Sequence, residues 1–289
     1  MEDLSKFCAT GATFKEEFIP VSENVSLKVI SFNPPQKTEN PPVVFVAGWI
    51  TLISAWKIVL QEMTKDFPVH YIETREKISS RVIGKANYGV EEIGKDIVKL
   101  VDHFNLKEKD FILFGSSLGA SALLDCCRFL DRTPLCLVLI GPNAVFRVPR
   151  FGKIIVYFLP PRLFLLVKPM VKWYLKTFRL NIKSDYEQYQ KYCVNIDSAD
   201  PWKLKKAIMK LWSWQAWDLL PGIKYPTVIF GASKDSLHEP ENLKQMVSML
   251  PNAEYIDLET NKGTHSAAMV AAMQKYIEKL FNEKAKGQV

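Results

Sequence analysis

The sequence is short of several things. Five cysteines in 289 residues make an odd number, and none falls at the spacing of a metal site. Cys126 and Cys127 are adjacent, so both cannot pair in an ordinary way. A disulfide framework is therefore not expected, and a reducing, cytoplasmic setting is. No apolar run approaches the ~20 residues a spanning helix needs. The nearest, 154–167, is broken by Pro160, Pro161 and Arg162. The opening Met-Glu-Asp-Leu has no basic start followed by an apolar stretch, so no secretory signal is read there. Internal repeats and low-complexity segments are missing too. What remains is 48% hydrophobic and 24% charged, which excludes a disordered or collagen-like chain. One large domain, or one domain with an insertion, is the expectation at this length.

Acid is missing from one long stretch. Residues 145–184 hold nine Lys or Arg and no Asp or Glu, while the rest of the chain carries slightly more acid than base. The net charge of +7 is therefore a property of that segment and not of the whole protein.

Two early stretches, 13–21 and 25–32, alternate as strands do. Four short apolar runs follow that read as strands buried on both faces: 43–47, 110–114, 135–140 and 227–231. Further strands are expected at 68–72 and 254–258. Helices are expected at 51–65, 91–104, 118–130, 242–249 and 267–281. In 91–104 the residues Ile93, Ile97, Leu100, Val101 and Phe104 share one side. Buried strands alternating with helices predict an α/β fold, a mostly parallel, doubly wound sheet covered on both faces. Strands are lacking from 143 to 225, a basic, aromatic stretch that reads as a helical cap over the strand ends. The core then divides into 1–142 and 226–289.

Between a buried strand and a helix stands Gly115-Ser116-Ser117-Leu118-Gly119. There a Gly-x-Ser-x-Gly makes a sharp turn that presents its serine at the top of the sheet. A plain turn with an incidental serine is the alternative; Ser117 as nucleophile is the preferred reading. Such a serine needs a base, and the chain has four histidines. His70 lies in a strand, His103 near a helix end, and His238 at a helix start. His265, in Gly263-Thr264-His265-Ser266, lies on a loop at the sheet edge that carries Ser117, where a base is wanted. A carboxylate should fix the tautomer of that base. Asp235 follows the 227–231 strand and meets the same condition; a turn or capping role is its alternative. Asp257 and Glu259 are weaker candidates, and Pro142-Asn143 offers no acid. Backbone N–H groups of Leu118, after the nucleophile, and of Trp49, after the first buried strand, are assigned to an oxyanion hole.

On Val43 to Trp49, the Gly115 to Gly119 turn, Thr227 to Asp235 and Gly263 to His265, the chain resembles the α/β-hydrolase superfamily, in the branch with a helical cap. The resemblance covers roughly residues 40–141 and 221–282. Members usually have His-Gly where Ala47-Gly48 stands here. They tend to carry Asp-x-Arg-Gly-x-Gly-x-Ser where this chain has Glu73-Thr74-Arg75-Glu76-Lys77-Ile78-Ser79-Ser80. The resemblance implies acyl transfer to water with no metal or organic cofactor. The expected substrate is an apolar carboxylic ester, with a lipid among the candidates. A thioesterase or acyltransferase would use the same triad, and a ligand-binding receptor or inactive scaffold is the reading from another class.

In the cap, Lys168, Lys172, Lys176 and Arg179 are expected on one helix face and Val167, Val171, Tyr174 and Phe178 on another. A solvated basic face is the plain reading; weak contact of 145–184 with an anionic membrane surface, or attraction of an acidic or acyl-CoA-like substrate, is the sharper one. Nucleic acid is not expected, because apolar residues interleave the cations without a binding motif. Trp202, Trp212, Trp214 and Trp217 are expected in the cap core, some of them lining an apolar pocket.

Overall fold

The computed structural model describes residues 3–146, 150–180, 182, 186–234 and 240–286. The chain runs β1 (Thr13–Ser22), β2 (Val25–Asn33), β3 (Val43–Val46), α1 (Lys57–Met63), β4 (Val69–Glu73), β5 (Arg81–Val82), α2 (Val90–His103), β6 (Ile112–Ser116), α3 (Leu118–Cys126) and β7 (Cys136–Ile140). It continues with α4 (Arg150–Phe158), α5 (Phe164–Tyr174), α6 (Tyr186–Ser198), α7 (Pro201–Leu211), β8 (Thr227–Gly231), α8 (Pro240–Met249), β9 (Ala253–Asp257), α9 (Asn261–Thr264) and α10 (Ala267–Lys286).

One sheet carries the strands in the order β1-β2-β4-β3-β6-β7-β8-β9, with β5 paired to β2. The pairs from β4 through β9 are parallel, and β2 meets β1, β4 and β5 antiparallel. The apolar runs explain this layout. β3, β6, β7 and β8 are buried at every position, which requires a helical layer on each face. One face packs under α2, α3 and α8 through residues such as Ile93, Ile97, Leu123 and Met246. The other packs under α1 and α10 through Leu60, Met63, Met269 and Met273. β1 is largely exposed and closes an edge.

The expected helix over 51–65 is a 3₁₀ turn (Ile53–Trp56) followed by α1. The strand expected at 110–114 runs later, through Gly115 and Ser116, so that Ser117 is itself the turn residue. The two-residue β5 and the short α9 have too few residues to show a period and were not foreseen.

The stretch between β7 and β8 carries the helices α4 to α7 above the sheet. At its stem Val145 bridges Gln215, and the Ala216 N–H donates to the Ala144 carbonyl at 2.8 Å. Side chains also tie it to the core. Asn195 of α6 accepts from the Leu52 N–H at 3.1 Å. Lys203 of α7 donates to the carbonyls of Lys77 and Ser80 at 2.6 and 2.7 Å.

Candidate active site

The turn from β6 into α3 is sterically demanding. Ser117 sits at φ +49°, ψ −115°, a backbone state that costs a non-glycine residue about 1–3 kcal/mol. It is held there by its N–H on the Ile140 carbonyl at 2.9 Å and by its carbonyl on the Ser121 N–H at 3.0 Å. The flanking glycines have a spatial reason. A Cβ on Gly119 would lie 2.1 Å from the Val46 carbonyl oxygen, and one on Gly115 would lie 2.8 Å from the Ala120 backbone nitrogen. α3 can start this close to β3 and β6 only without those side chains.

Above the turn, between the sheet and the helices that follow β7, is a cavity of about 370 Å³. That is the lower end of the range for small-molecule sites. Ser117 and His265 both line it, as do Gly48, Trp49 and Trp56. The helices between β7 and β8 supply Phe164, Val171, Leu175, Ile196, Leu204 and Ile208, with the polar Gln188, Lys191, Tyr192 and Asn195 beside them.

His265 follows α9 and is set by its surroundings. Its ring stacks on Trp56 with centroids 4.2 Å apart. Its Nδ1 lies 2.9 Å from the Asn261 carbonyl and 3.1 Å from Thr264 Oγ1, while the Thr264 hydroxyl donates to that same carbonyl. A carbonyl only accepts, so Nδ1 carries the proton. Nε2 is then the nitrogen with a lone pair, the form a general base needs.

Leu118 is the first residue of α3, where the leading N–H groups lack an intrahelical acceptor and the helix dipole favours negative charge. The Gly48–Trp49 turn lies against it. A Cβ on Gly48 would be 3.4 Å from the Ser117 Cβ. Ile50 at φ +50° and the Thr51 N–H on the Gly48 carbonyl at 3.2 Å shape that turn.

No family model matches the chain, and no curated protein matches it by sequence. Solved structures do match. A thermophilic esterase from Thermogutta terrifontis superposes with TM-score 0.69 at 19% identity, over 93% of this chain and 99% of that one. An enol-lactonase from Burkholderia xenovorans gives 0.70 at 16% identity, over 89% and 97%. A bromoperoxidase from Bacillus anthracis gives 0.72 at 13% identity, over 91% and 100%. The chain has the α/β-hydrolase fold. The neighbours differ in activity, so at these identities the likeness carries the architecture alone.

Within the α/β-hydrolase fold, the remaining expected residues are distributed unevenly. Asp235 and His238 lie outside the described residues. The weaker acids are engaged elsewhere. Asp257 accepts the N–H groups of Ser233 and Glu259 at 3.0 and 2.8 Å, and the bonds from Ser233 hold its carboxyl below the usual range. Glu259 pairs with Lys234 at 2.5 Å. His70 lies in β4, with Ser31 Oγ 2.9 Å from its Nδ1 and its ring stacked on Phe104 at 3.8 Å. Burial pushes its pKa down to about 4.

Asn143 was passed over in the sequence because it offers no acid. Its Nδ2 donates to Ser117 Oγ at 3.1 Å, and its backbone is fixed on both sides by the Ser121 hydroxyl. The signal that would have found it is position, since it stands just after β7, beside the strand that carries the serine.

The Glu73 to Ser80 loop is a buried polar brace. Arg75 forks onto both oxygens of Asp96 at 2.7 and 2.5 Å and donates to the Asn87 carbonyl. Burial raises Asp96 to about 6, and the Arg75 fork opposes that rise. Lys77 pairs with Glu73 at 3.4 Å. The Thr74 hydroxyl donates to Glu76, whose carboxyl burial pushes up. The loop is also where Lys203 of the cap lands.

Two expectations for the cap are corrected. The four tryptophans near its end are not among the residues lining the cavity. Trp214 donates to Asp125 at 2.6 Å and packs with Trp217 on the core, and Trp202 faces solvent. The lysines of α5 do not form an outward basic face. Lys168 donates to the Asp197 carbonyl at 2.7 Å and Lys172 pairs with the Asp197 carboxylate at 2.7 Å, both within the cap.

Proposed function

We propose that the protein is a serine hydrolase that cleaves an apolar carboxylic ester through an acyl-enzyme. The observation that supports this most is one cavity wall shared by Ser117, on its strained turn, and His265, whose Nδ1 lies 2.9 Å from the Asn261 carbonyl. Ser117 Oγ attacks the carbonyl carbon and its proton passes to His265 Nε2. The N–H groups of Leu118 and Trp49 receive the oxyanion. As the tetrahedral adduct collapses, His265 returns the proton to the leaving alkoxide. Water then repeats the sequence on the acyl-Ser117, with His265 as base, and releases the acid. In this reading Asp235, which follows β8 in the sequence, stabilises the imidazolium, since Asp257 and Glu259 already hold other partners. The apolar share of the lining accommodates an aliphatic or aromatic acyl group.

The test is a fluorophosphonate label and an ester chain-length series, with acyl thioesters beside it, on the wild type and three variants. Ser117→Ala should lose the label and ~10⁵–10⁶ in kcat, and adding His265→Ala should cost little more. Asp235→Asn should cost ~10⁴. Retention of a tenth of the activity in Ser117→Ala removes that serine from the role. Thioester turnover well above ester turnover would move the substrate class.

A further inference from the structure

Helix α5 turns its apolar side outward. Phe164 and Val171, with Leu175 just beyond the helix, point into the cavity, and Lys168 and Lys172 are drawn inward to Asp197. The opposite side, with the turn that follows it, exposes Leu165, Leu166, Met170, Trp173, Tyr174 and Phe178, with Leu166 at 75%. Neighbouring α4 exposes Ile154, Tyr157 and Phe158, the last at 74%. A soluble monomer rarely leaves so many large apolar side chains uncovered on two successive helices.

Three observations say what covers them. The first is charge. Residues 145–184 contain no acid, and Arg162 and Lys176 stand exposed beside the apolar side chains. A second copy meeting this face about a two-fold axis would set cation against cation, whereas an anionic lipid surface complements it. The second is residue type. Tyr157, Trp173 and Tyr174 have apolar bodies with a polar tip, the kind of side chain that settles at headgroup depth. The third is shape. Segments Gly152–Phe158 and Pro161–Phe178 together have the length and apolarity of a membrane span, yet they are bent by 118°. A pair bent this far matches helices lying in an interface, with apolar sides down, better than a straight crossing.

We propose that the outward side of α4 and α5 docks on an anionic lipid bilayer, and that α5, whose inward side roofs the cavity, admits a bilayer-resident ester to Ser117. The docking stands on the surface alone; the admission of substrate rests on the serine hydrolase reading. The cations reach the lipid at long range, and the apolar side chains, not Lys168 and Lys172, hold the protein there.

The experiment is co-sedimentation with vesicles of phosphatidylcholine, alone or mixed with phosphatidylglycerol. Leu166→Glu with Trp173→Glu is the test variant, since both positions face outward and neither lines the cavity. The wild type should pellet with the mixed vesicles, and less with phosphatidylcholine alone. The double variant should partition on the order of 100-fold less, the effect of withholding two such side chains from an apolar phase. It should melt like the wild type and hydrolyse a short soluble ester as fast. Ser117→Ala should still pellet. Wild type that stays in the supernatant, or a double variant that pellets equally, overturns the proposal. So does a stable dimer without lipid that the double variant dissolves, because a second copy then covers the face. Normal pelleting without ester hydrolysis would leave the docking standing and remove the admission of substrate together with the role of Ser117.

Discussion

Replacing Gly119 by alanine adds one methyl group where backbone already stands. The new Cβ would lie 2.1 Å from the Val46 carbonyl oxygen and 2.7 Å from that of Ala47. A relaxed carbon–oxygen contact is about 3.3 Å, so the first is short by about 1.2 Å. Neither oxygen belongs to a side chain that could swing away. Val46 is in the centre of the sheet and buried, so the start of α3 must give. Overpacking of this kind costs about 3 kcal/mol, at the upper end of the usual range. For a chain of this size that lowers Tm by about 5 °C. The same displacement, of about 1 Å, carries Ser117 and Leu118 away from the Gly48–Trp49 turn, which is enough to lower turnover ~100-fold. Gly222→Ala is the control, because nothing lies within 4 Å of a Cβ there. It should leave activity unchanged and stability within about 1 kcal/mol. Differential scanning calorimetry and hydrolysis of a soluble ester read the two effects. If Gly119→Ala melts and turns over like the wild type, the close approach of α3 to β3 does not set the nucleophile.

Asn143→Ala removes the amide that donates to Ser117 Oγ. It should lower kcat about tenfold with little change in Tm, consistent with the loss of one hydrogen bond worth about 1 kcal/mol; an unchanged kcat would make Asn143 a spectator. Arg75→Lys keeps the charge but breaks the fork onto buried Asp96, and should cost about 3 kcal/mol in a urea melt; a loss below 1 kcal/mol would mean the lysine satisfies the carboxylate as well. His70 has a folded pKa of about 4, below its unfolded value, so an unfolded chain takes up a proton that the folded chain resists. Its contribution is fully present above pH ~6.5 and falls progressively towards pH 4, by up to about 3 kcal/mol. A His70→Gln variant should show a flatter stability profile across that window, and an identical profile would remove His70 as the cause.

Much of the architecture was legible because it is local. The runs 43–47, 135–140 and 227–231 are apolar at nearly every position, and a segment that must be buried on both faces has few places other than the middle of a parallel sheet. Gly115 to Gly119 was legible for a related reason: a strand passing straight into a helix leaves its turn residue no freedom, and the glycines record the close approach. His265 was singled out by its place between the last strand and the last helix, and it lines the same cavity as Ser117. Asn143 was not, because its bond to Ser117 joins residues 26 apart and only its place just after β7 hints at it. The Asn261 carbonyl on His265 escaped notice too, since a backbone acceptor leaves no mark in side-chain identity.

The cap shows where the boundary falls. Its helices and its excess of base were plain in the residue order, but the direction in which α5 faces was not. A stripe of lysines beside a stripe of aliphatics reads as a basic face turned to water. Asp197, on another helix and more than twenty residues away, draws Lys168 and Lys172 inward and leaves Leu166, Met170 and Trp173 outside. Periodicity states which residues share a side of a helix. Which side is buried depends on the partners that the rest of the chain brings to it, and that is settled only when the chain has folded.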